Sequence, residues 1–251
     1  MKQFFSLVLI ACGCWAQSQP SGARPELAGK GWRPLLNSRD VSGWHPREGK
    51  PNSWLTATSV TTTMDGTRQL LAPAGGAGPS LVNGPDGRAA DLISDEKFGD
   101  VELYLEFLIT KKSNSGVYLQ GLYELQILDS YGAEKLGVHD CGAVYERWID
   151  GKGVGGNAPL TNASRPPGEW QSFHIWFRAP RFDGSGKKVK DAEFLKVEHN
   201  GKLVQKNVIA PGPTRASLDM PEAAHNPLML QGDHGPVAFR NIYIRKLAGV
   251  K

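Results

Sequence analysis

The sequence predicts an all-β protein built as an antiparallel sandwich or barrel, and three observations support this fold class. Short runs of alternating apolar and polar residues recur along the chain, with Gly- or Pro-containing turns between them. No window carries apolar residues at helical spacing for three or more turns. The pair Asn200-Gly201 stands between two strand-like runs, and this is the strongest short-range signal for a β-hairpin.

The N-terminus predicts an exported protein. Lys2 is followed by a short apolar run at residues 4–12 and by polar residues from Gln17 onward, as in a secretory signal. The run is too short to span a bilayer, and no other stretch is long and apolar enough. We therefore expect a signal peptide at 1–16, a flexible leader at 17–30 and one domain at 31–249, located in the periplasm or outside the cell. A second cleavage pattern stays open, because residues 9–12 resemble a lipobox that would make Cys12 a lipid anchor.

The segments before residue 100 differ in the strength of their signals. Residues 32–44 form an N-terminal segment anchored by Trp32 and Trp44. Residues 54–71 carry strand-like runs rich in Thr and Val, with a turn at Asp65-Gly66. The many Gly and Pro residues of 72–87 predict a long irregular loop. Residues 92–100 contain a Ser-Asp-Glu-Lys run, and we expect them to close one helical turn.

The strongest pattern occupies residues 99–131, where three extended runs follow one another. In Val101–Ile109 every second residue is apolar, which is the period of a half-buried strand. Residues 116–120 and 123–129 repeat this pattern, and we expect the three strands to be adjacent in one sheet. Their polar faces carry acceptor groups rather than Lys and Thr: Glu102, Glu106, Glu124 and Gln126. Neighbouring strands with such groups would form the floor of a sugar-binding cleft.

The second half of the chain alternates between long loops and further strands. Residues 132–167 contain many Gly and Pro residues, and a loop of this length inside a domain is usually functional or disordered. Residues 170–178 alternate again, and residues 196–204 contain the Asn-Gly hairpin signal. Residues 209–227 form another Pro-interrupted loop. Residues 228–231 and 237–247 complete the sheet on either side of the loop 232–236.

Four sequence blocks resemble one known family. They are WRPLLNSRDVSGW at 32–44, NSGVYLQGLYELQILDSYG at 114–132, NASRPPGEW at 162–170 and GDHGPVAFRNIYIRKL at 232–247. Together they resemble the bacterial 3-keto-disaccharide hydrolase domain family, in the expected order and over nearly the whole mature chain. The resemblance implies an antiparallel two-sheet jelly-roll β-sandwich of the concanavalin or laminin-G type. It also implies activity on 3-keto-glycosides, without specifying the substrate.

The charge distribution argues against a nucleic-acid partner. The formal net charge is +4, and the basic residues are scattered along the chain. Lys187, Lys188 and Lys190 form the densest group, but Asp183 and Asp191 flank them. A solvated hairpin tip is therefore expected, since a nucleic-acid site requires a basic stripe with interleaved aromatic residues.

Cysteine usage predicts no intramolecular disulfide in the mature protein. Cys12 and Cys14 lie in the signal region, which leaves Cys141 alone. Small and apolar residues surround Cys141 in the sequence. We therefore prefer a buried structural thiol over a nucleophile, because free Cys commonly behaves as a small hydrophobic residue.

The chemistry implied by the resemblance requires few groups. A 3-keto sugar has an acidified hydrogen at C2, so a base can remove it and the C1 substituent can leave, with or without later hydration. Such a site needs a base, an acid and a donor at the keto oxygen. His234 is the first candidate for the base, with binding to the backbone as the alternative. Glu124 is the second, with an ion pair to Arg147 or Arg240 as the alternative, and Asp129 is a third candidate that is also suited to capping a turn.

Further residues are candidates for substrate binding. Tyr145 and Arg147 lie in the long loop, where an aromatic ring can stack on a sugar face and Arg can hold its oxygens. Arg240 interrupts an apolar strand face and must be paired if it is buried. It would hold either Glu124 or the keto oxygen. Tyr118 has a core position as its alternative, and Asn114 and Gln126 complete the predicted binding set.

Other activities find little support in the sequence. It contains neither a G-x-S-x-G elbow, nor a Gly-rich phosphate loop, nor H-E-x-x-H, and its six histidines are dispersed. Gln126 also stands where the E-x-D-x-x-E pattern of sandwich glycosidases would place a carboxylate. We assign no metal ligands and expect no cofactor, while a metal site built from residues distant in sequence stays open. An oxidoreductase elsewhere would supply the small oxidised carbohydrate. The competing hypothesis is a non-catalytic carbohydrate-binding module, and a protein-docking domain is a weaker third one.

Overall fold

The fold is described from a computed structural model. The structure describes residues 25–27, 29–47, 49–66, 68–84 and 86–248. The predicted signal peptide at 1–16, the lipid-anchor candidate Cys12 and most of the predicted leader at 17–30 therefore lie outside the described residues. Within the described ranges, no helix is long and apolar enough to cross a membrane.

The described residues form β-strands in the following order along the chain. They are β1 (Arg33–Pro34), β2 (Trp44–Pro46), β3 (Leu55–Ala57), β4 (Ser59–Asp65), β5 (Arg68–Ala74), β6 (Ser80–Val82), β7 (Leu92–Phe98), β8 (Val101–Ile109), β9 (Asn114–Leu119), β10 (Tyr123–Leu128), β11 (Arg147–Ile149), β12 (Lys152–Val154), β13 (Gln171–Arg178), β14 (Arg181–Phe182), β15 (Lys188–Lys190), β16 (Ala192–His199), β17 (Lys202–Ala210), β18 (Asn226–Leu230) and β19 (Val237–Lys246).

Two sheets build the sandwich. The eight-stranded sheet runs in the order β17-β16-β13-β8-β19-β6-β3, with β1 paired to β19. The five-stranded sheet runs in the order β10-β9-β18-β7-β2. Strand pairing in both sheets is antiparallel. The predicted fold class, an all-β antiparallel two-sheet sandwich, is confirmed.

The core lies between the two sheets. β8 contributes Leu103, Leu105 and Phe107, all fully buried, and β9 and β10 contribute residues such as Val117 and Leu125. A smaller cluster that includes Leu108 and Trp170 packs with Val60 and Leu71 of the β4–β5 hairpin. β8 is therefore buried along its whole length, although one of its faces is polar.

The expectation that 101–109, 116–120 and 123–129 are adjacent in one sheet is wrong. β8 pairs with β13 and β19 in the eight-stranded sheet, whereas β9 and β10 pair with each other in the five-stranded sheet. A turn closed by the bond from the Ser113 N–H to the Thr110 carbonyl carries the chain between the sheets. Alternation defines the two faces of a strand but does not identify its neighbours.

Two local expectations also need correction. Residues 92–100 do not close a helical turn, because β7 occupies 92–98 and pairs with β2 and β18. Sheet hydrogen bonds and burial of Leu92 and Phe98 outweigh the local preference of the Ser-Asp-Glu run. The predicted irregular loop at 72–87 contains β6, which pairs with β19.

The hairpin predicted at Asn200-Gly201 is confirmed. These two residues connect β16 to β17, and their φ angles are 51° and 76°. Positive φ at both central positions is the geometry that favours Asn-Gly in a two-residue turn.

Candidate active site

The outer face of the five-stranded sheet forms the floor of a cleft of about 230 Å³. In β10, Leu125 and Ile127 pack into the core, so Glu124 and Gln126 lie on the opposite face. Tyr118 of β9 is the register partner of Glu124 and shares this face. The cleft is lined by Asn114, Tyr118, Glu124, Gln126, Tyr145, Arg215, Ala216, Gln231 and His234.

A glycine in the neighbouring strand makes room for the Glu124 carboxylate. Gly116 lies opposite Gln126 in the β9–β10 register. A Cβ atom added to Gly116 would lie 2.3 Å from Glu124 Oε1, closer than atoms can approach. The absence of a side chain at position 116 therefore determines where the carboxylate can sit.

Burial shifts the ionisation of Glu124. Only 3% of the residue is exposed. Loss of hydration raises the pKa of its carboxyl group to about 8, and the negative charges of Asp91 and Asp233 act in the same direction. The nearby Tyr118 hydroxyl opposes this effect in part. Near neutral pH Glu124 can therefore act as a proton donor, which an ordinary Glu cannot do effectively.

His234 is the second titratable group on the cleft wall. Its Nδ1 forms a hydrogen bond with the Asp233 carboxylate, and this bond raises the pKa of His234 above its usual value. The ring is about half exposed, at 48%. The next residue, Gly235, packs so closely on Ser113 that an added Cβ would lie 2.5 Å from its hydroxyl oxygen. This contact holds the His234 loop against the start of β9.

Three amide side chains leave hydrogen-bond acceptors free in the cleft lining. The side-chain oxygens of Asn114, Gln126 and Gln231 are buried and have no hydrogen-bond partner among the described residues. Gln126 and Gln231 are 2% and 6% exposed. Since a buried polar atom without a partner is costly, these oxygens are suited to receive donors from a ligand with several hydroxyl groups.

Arg215 supplies a positive charge at the cleft. Its backbone N–H donates to the Glu146 carbonyl over 2.9 Å, and its guanidinium carbon lies 3.9 Å from the centre of a Trp148 ring. Arg47 donates to the backbone carbonyls of Ala216 and Ser217, which holds the following residues. The Tyr118 hydroxyl donates to the Arg215 carbonyl over 3.2 Å. Such a cation can stabilise negative charge that develops on a bound carbonyl oxygen.

Six of the nine predicted site residues line this cleft, and three lie elsewhere. Asp129 accepts a hydrogen bond from the backbone N–H of Lys112 over 2.9 Å, as expected of a turn-capping residue. Arg147 lines a neighbouring groove of about 540 Å³ that shares Tyr145 with the cleft. The residues that the cleft brings together are Asn114, Tyr118, Glu124, Gln126, Tyr145 and His234.

Arg240 belongs to the other sheet. Its Nε donates to Glu106 Oε2 over 2.6 Å, and its guanidinium carbon lies 4.1 Å from the centre of a Trp170 ring. Glu102 of the same strand face binds His174 and Arg245. The acceptors of β8 therefore face cations on the outside of the eight-stranded sheet, and they do not continue the floor that carries Glu124.

Sequence patterns missed Arg215 and Gln231 as site residues. Arg215 lies in the Pro-interrupted loop 209–227, which has no period from which its direction could be inferred. Gln231 follows β18 directly, and its backbone N–H donates to the Gly116 carbonyl over 2.9 Å. Its position three residues before His234 was the one available signal, because residues at a strand end often line a site.

Cys141 is a structural residue in this fold. It is 2% exposed, belongs to the main core cluster and has no disulfide partner among the described residues. Burial raises the pKa of its thiol to about 12, so the reactive thiolate is disfavoured. Across the described ranges, no group of three or more His, Cys, Asp or Glu residues is arranged to hold a metal ion.

Comparisons with known proteins agree with the predicted family. The model of the 3-keto-alpha-glucoside-1,2-lyase-like domain matches residues 31–245. A predicted glycosyl hydrolase from Parabacteroides distasonis is 26% identical, with 87% of this chain and 84% of that chain covered and a TM-score of 0.62. A second from the same organism is 17% identical, with 91% and 100% covered and a TM-score of 0.56, and it shares the fold.

A search of curated proteins gave no match. The family match and the first structural neighbour support a carbohydrate-acting enzyme. Because the match extends over most of the chain, the protein belongs to the 3-keto-alpha-glucoside-1,2-lyase-like domain family.

Proposed function

We propose that the cleft cleaves 3-keto-glycosides by elimination across C1 and C2. The observation that carries this proposal is the buried Glu124 carboxyl group, with a pKa of about 8, in one cleft with His234 and Arg215. Elimination requires one group that accepts a proton, one that donates a proton and a donor for the keto oxygen. Family membership supports the choice of a 3-keto substrate class.

In the proposed reaction His234 removes the proton from C2. Asp233 engages Nδ1, so Nε2 is the nitrogen left to accept this proton. The electron pair of the C2–H bond moves toward the C3 carbonyl, and Arg215 stabilises the resulting enolate oxygen. The enolate then re-forms the carbonyl, a C1–C2 double bond forms, and the bond from C1 to the glycosidic oxygen breaks. Glu124 gives its proton to that oxygen, so the products are an alcohol and an unsaturated 3-keto sugar. Addition of water to the double bond would complete a net hydrolysis.

The remaining lining residues would hold the sugar. The free amide oxygens of Asn114, Gln126 and Gln231 would each accept a hydrogen bond from a sugar hydroxyl. Tyr145 lies at the edge of the cleft, where its backbone N–H donates a hydrogen bond to the backbone carbonyl of Glu124 over 3.1 Å. Its ring could pack against one face of the sugar.

The deciding experiment offers the purified protein a 3-keto-disaccharide and the same disaccharide unoxidised, with both followed by NMR. We expect turnover of the oxidised sugar alone. In heavy water, deuterium should appear at C2 of the hydrated product or of recovered substrate, because the unsaturated product carries no hydrogen at C2. Equal turnover of both sugars would indicate an ordinary glycosidase. Binding without turnover of either sugar would favour the carbohydrate-binding module.

Three substitutions test the assigned roles. His234→Ala and Glu124→Gln should each lower turnover by about 100-fold or more, the usual contribution of a positioned acid or base. Arg215→Met should lower turnover by a similar factor, because it removes the charge at the enolate oxygen. Arg147→Met, in the neighbouring groove, is the matched control and should change turnover much less. Full activity of the first two variants would overturn this assignment of the site.

The same roles define a pH profile. His234 must have lost its proton and Glu124 must hold its own, so activity should rise through the raised pKa of His234 and fall above about pH 8. The falling arm should move or disappear in Glu124→Gln, whose residual activity is measured under the same conditions.

We further propose that the protein works outside the cytoplasm, with an oxidoreductase elsewhere producing the 3-keto group of its substrate. The N-terminal sequence features support export, either as a free protein or through a lipid on Cys12. N-terminal sequencing and mass spectrometry of the protein from a bacterial host distinguish these cases. An intact Met1 on the mature protein would exclude export by signal cleavage.

A further inference from the structure

A larger groove adjoins the cleft at His234. It has a volume of about 750 Å³, and His234 lines both spaces. The β4–β5 hairpin, the turn between β8 and β9 and the loop before β19 form its walls. The polar residues of its lining that matter here are Arg68, Arg88, Thr110, Lys111, Lys112 and His234.

The walls of this groove are held together by specific contacts. The backbone N–H of Lys111 donates to Gln69 Oε1 over 2.9 Å, which ties the hairpin to the turn. A Cβ added to Gly87 would lie 2.3 Å from the Pro236 ring, so the two backbones approach as closely as atoms allow. The groove is therefore a built feature of the fold and does not depend on one loop.

Four cationic side chains line the groove, which has no carboxylate among its described lining residues. Arg68 and Arg88 donate to backbone carbonyls, those of Asp86 and Asp233, over 2.7 and 3.0 Å. A carbonyl oxygen satisfies a hydrogen bond but does not cancel the charge. Among the described residues no Asp or Glu side chain lines the groove, and none forms an ion pair with Arg68, Arg88, Lys111 or Lys112.

Two acidic groups next to the groove are already engaged. Asp233 forms its hydrogen bond with His234, and Asp129 Oδ2 accepts the backbone N–H of Lys112 rather than its ammonium group. The Thr110 hydroxyl oxygen in the lining is buried and has no partner among the described residues. The groove thus offers positive charge and one free polar group to a ligand next to the cleft.

We propose that this groove is a second subsite. It binds the sugar unit that the scissile bond joins to the 3-keto sugar, when that unit carries an anionic substituent. The substituent would be a uronic acid carboxylate or a sulfate ester, since both are anions that Arg and Lys bind. This inference rests on the proposed function for the position of the scissile bond. His234, the residue assigned as the base, lines both the groove and the cleft, so a disaccharide cleaved there would place one sugar unit on each side of it.

The test measures binding apart from turnover. Calorimetric titration compares three unoxidised disaccharides that differ at one unit: neutral, with a uronic acid, and with a sulfate ester. At low salt we expect at least one anionic sugar to bind about 10-fold or more tightly than the neutral one, with the advantage lost at high salt. The comparison of uronic acid with sulfate identifies which anion the groove takes.

Paired charge substitutions place the effect in the groove. Lys111→Gln combined with Lys112→Gln should remove most of the preference for the anionic sugar, and both side chains are exposed, so the fold should persist. The matched control is Lys187→Gln combined with Lys190→Gln, at and near the turn that joins β14 to β15. An equal loss in both double variants, or equal affinity of wild type for all three sugars, would overturn the proposal.

The outcome separates the two proposals. Anion preference without cleavage of any 3-keto-glycoside would leave the subsite standing and reject the proposed reaction. Cleavage of 3-keto-glycosides without anion preference would leave the reaction standing and reject the subsite.

Discussion

At the scale of single residues, Glu124 is a carboxyl group that folding holds in its neutral form. Its pKa rises from 4.5 to about 8 because the folded protein removes its hydration. Below pH 4.5 the group is protonated in both the folded and unfolded states. Between pH 4.5 and about 8 the unfolded chain releases this proton more readily, so the free energy of unfolding contributed by Glu124 falls as the pH rises.

This gives a prediction about stability. Glu124→Gln cannot ionise, so it should match the wild type at pH 4 and unfold at a temperature about 4 °C or more higher than the wild type at pH 9. Thermal unfolding at the two pH values measures the difference. Glu134→Gln, at an exposed position, is the control and should show no such divergence. The same difference from wild type at both pH values would contradict the buried neutral carboxyl group.

At the scale of elements, the β9–β10 pair positions the carboxylate. Gly116 leaves the space that Glu124 fills, and an added methyl group at 116 would overlap Oε1. We expect Gly116→Ala to displace the carboxylate and lower turnover of a 3-keto-disaccharide by about 100-fold, because a shift of about 1 Å is enough to misplace a catalytic group. The pairing of the strands should persist, since the collision involves a side-chain end.

The measurement combines turnover with thermal unfolding. Gly184→Ala serves as the control, because an added Cβ there has no atom within 4 Å. An active Gly116→Ala variant would show that Glu124 has room to move or that it is not the acid.

At the scale of the whole molecule, the two outer faces of the sandwich have different uses. The five-stranded sheet carries the cleft, whereas the polar face of the eight-stranded sheet is closed by ion pairs such as Arg240–Glu106. Glu106 is fully buried, and Tyr104 donates to its other oxygen over 3.0 Å. Removal of Arg240 would take one cation away from this buried carboxylate.

We therefore predict that Arg240→Met destabilises the fold without changing the rate of the reaction. The loss should be about 3–5 kcal/mol, the usual cost of breaking a buried pair, while turnover per folded molecule should stay near the wild-type value. Chemical denaturation and activity assays on the folded fraction measure the two effects. Arg39→Met, at an exposed position, should leave both unchanged. A large loss of turnover in the folded Arg240→Met variant would show that Arg240 takes part in the reaction.

Local patterns were enough to predict the fold class and part of the site. Alternation along β10 places Glu124 and Gln126 opposite the core residues, because successive side chains of a strand point to opposite faces. Asn200-Gly201 predicts its hairpin because the turn requires positive φ at two successive residues. Four ordered sequence blocks were enough to identify the family.

Tertiary structure alone decided which strands are neighbours and which polar residues share the cleft. β8 has the same alternation as β10, yet its acceptors face the opposite side of the molecule, since pairing depends on partners far away in sequence. Arg240 and Arg215 show the same limit: Arg240 is paired with Glu106, and Arg215 is brought to the cleft by an irregular loop. A strand's period is a local property of the chain, whereas a loop side chain takes its direction from the contacts that the whole fold supplies.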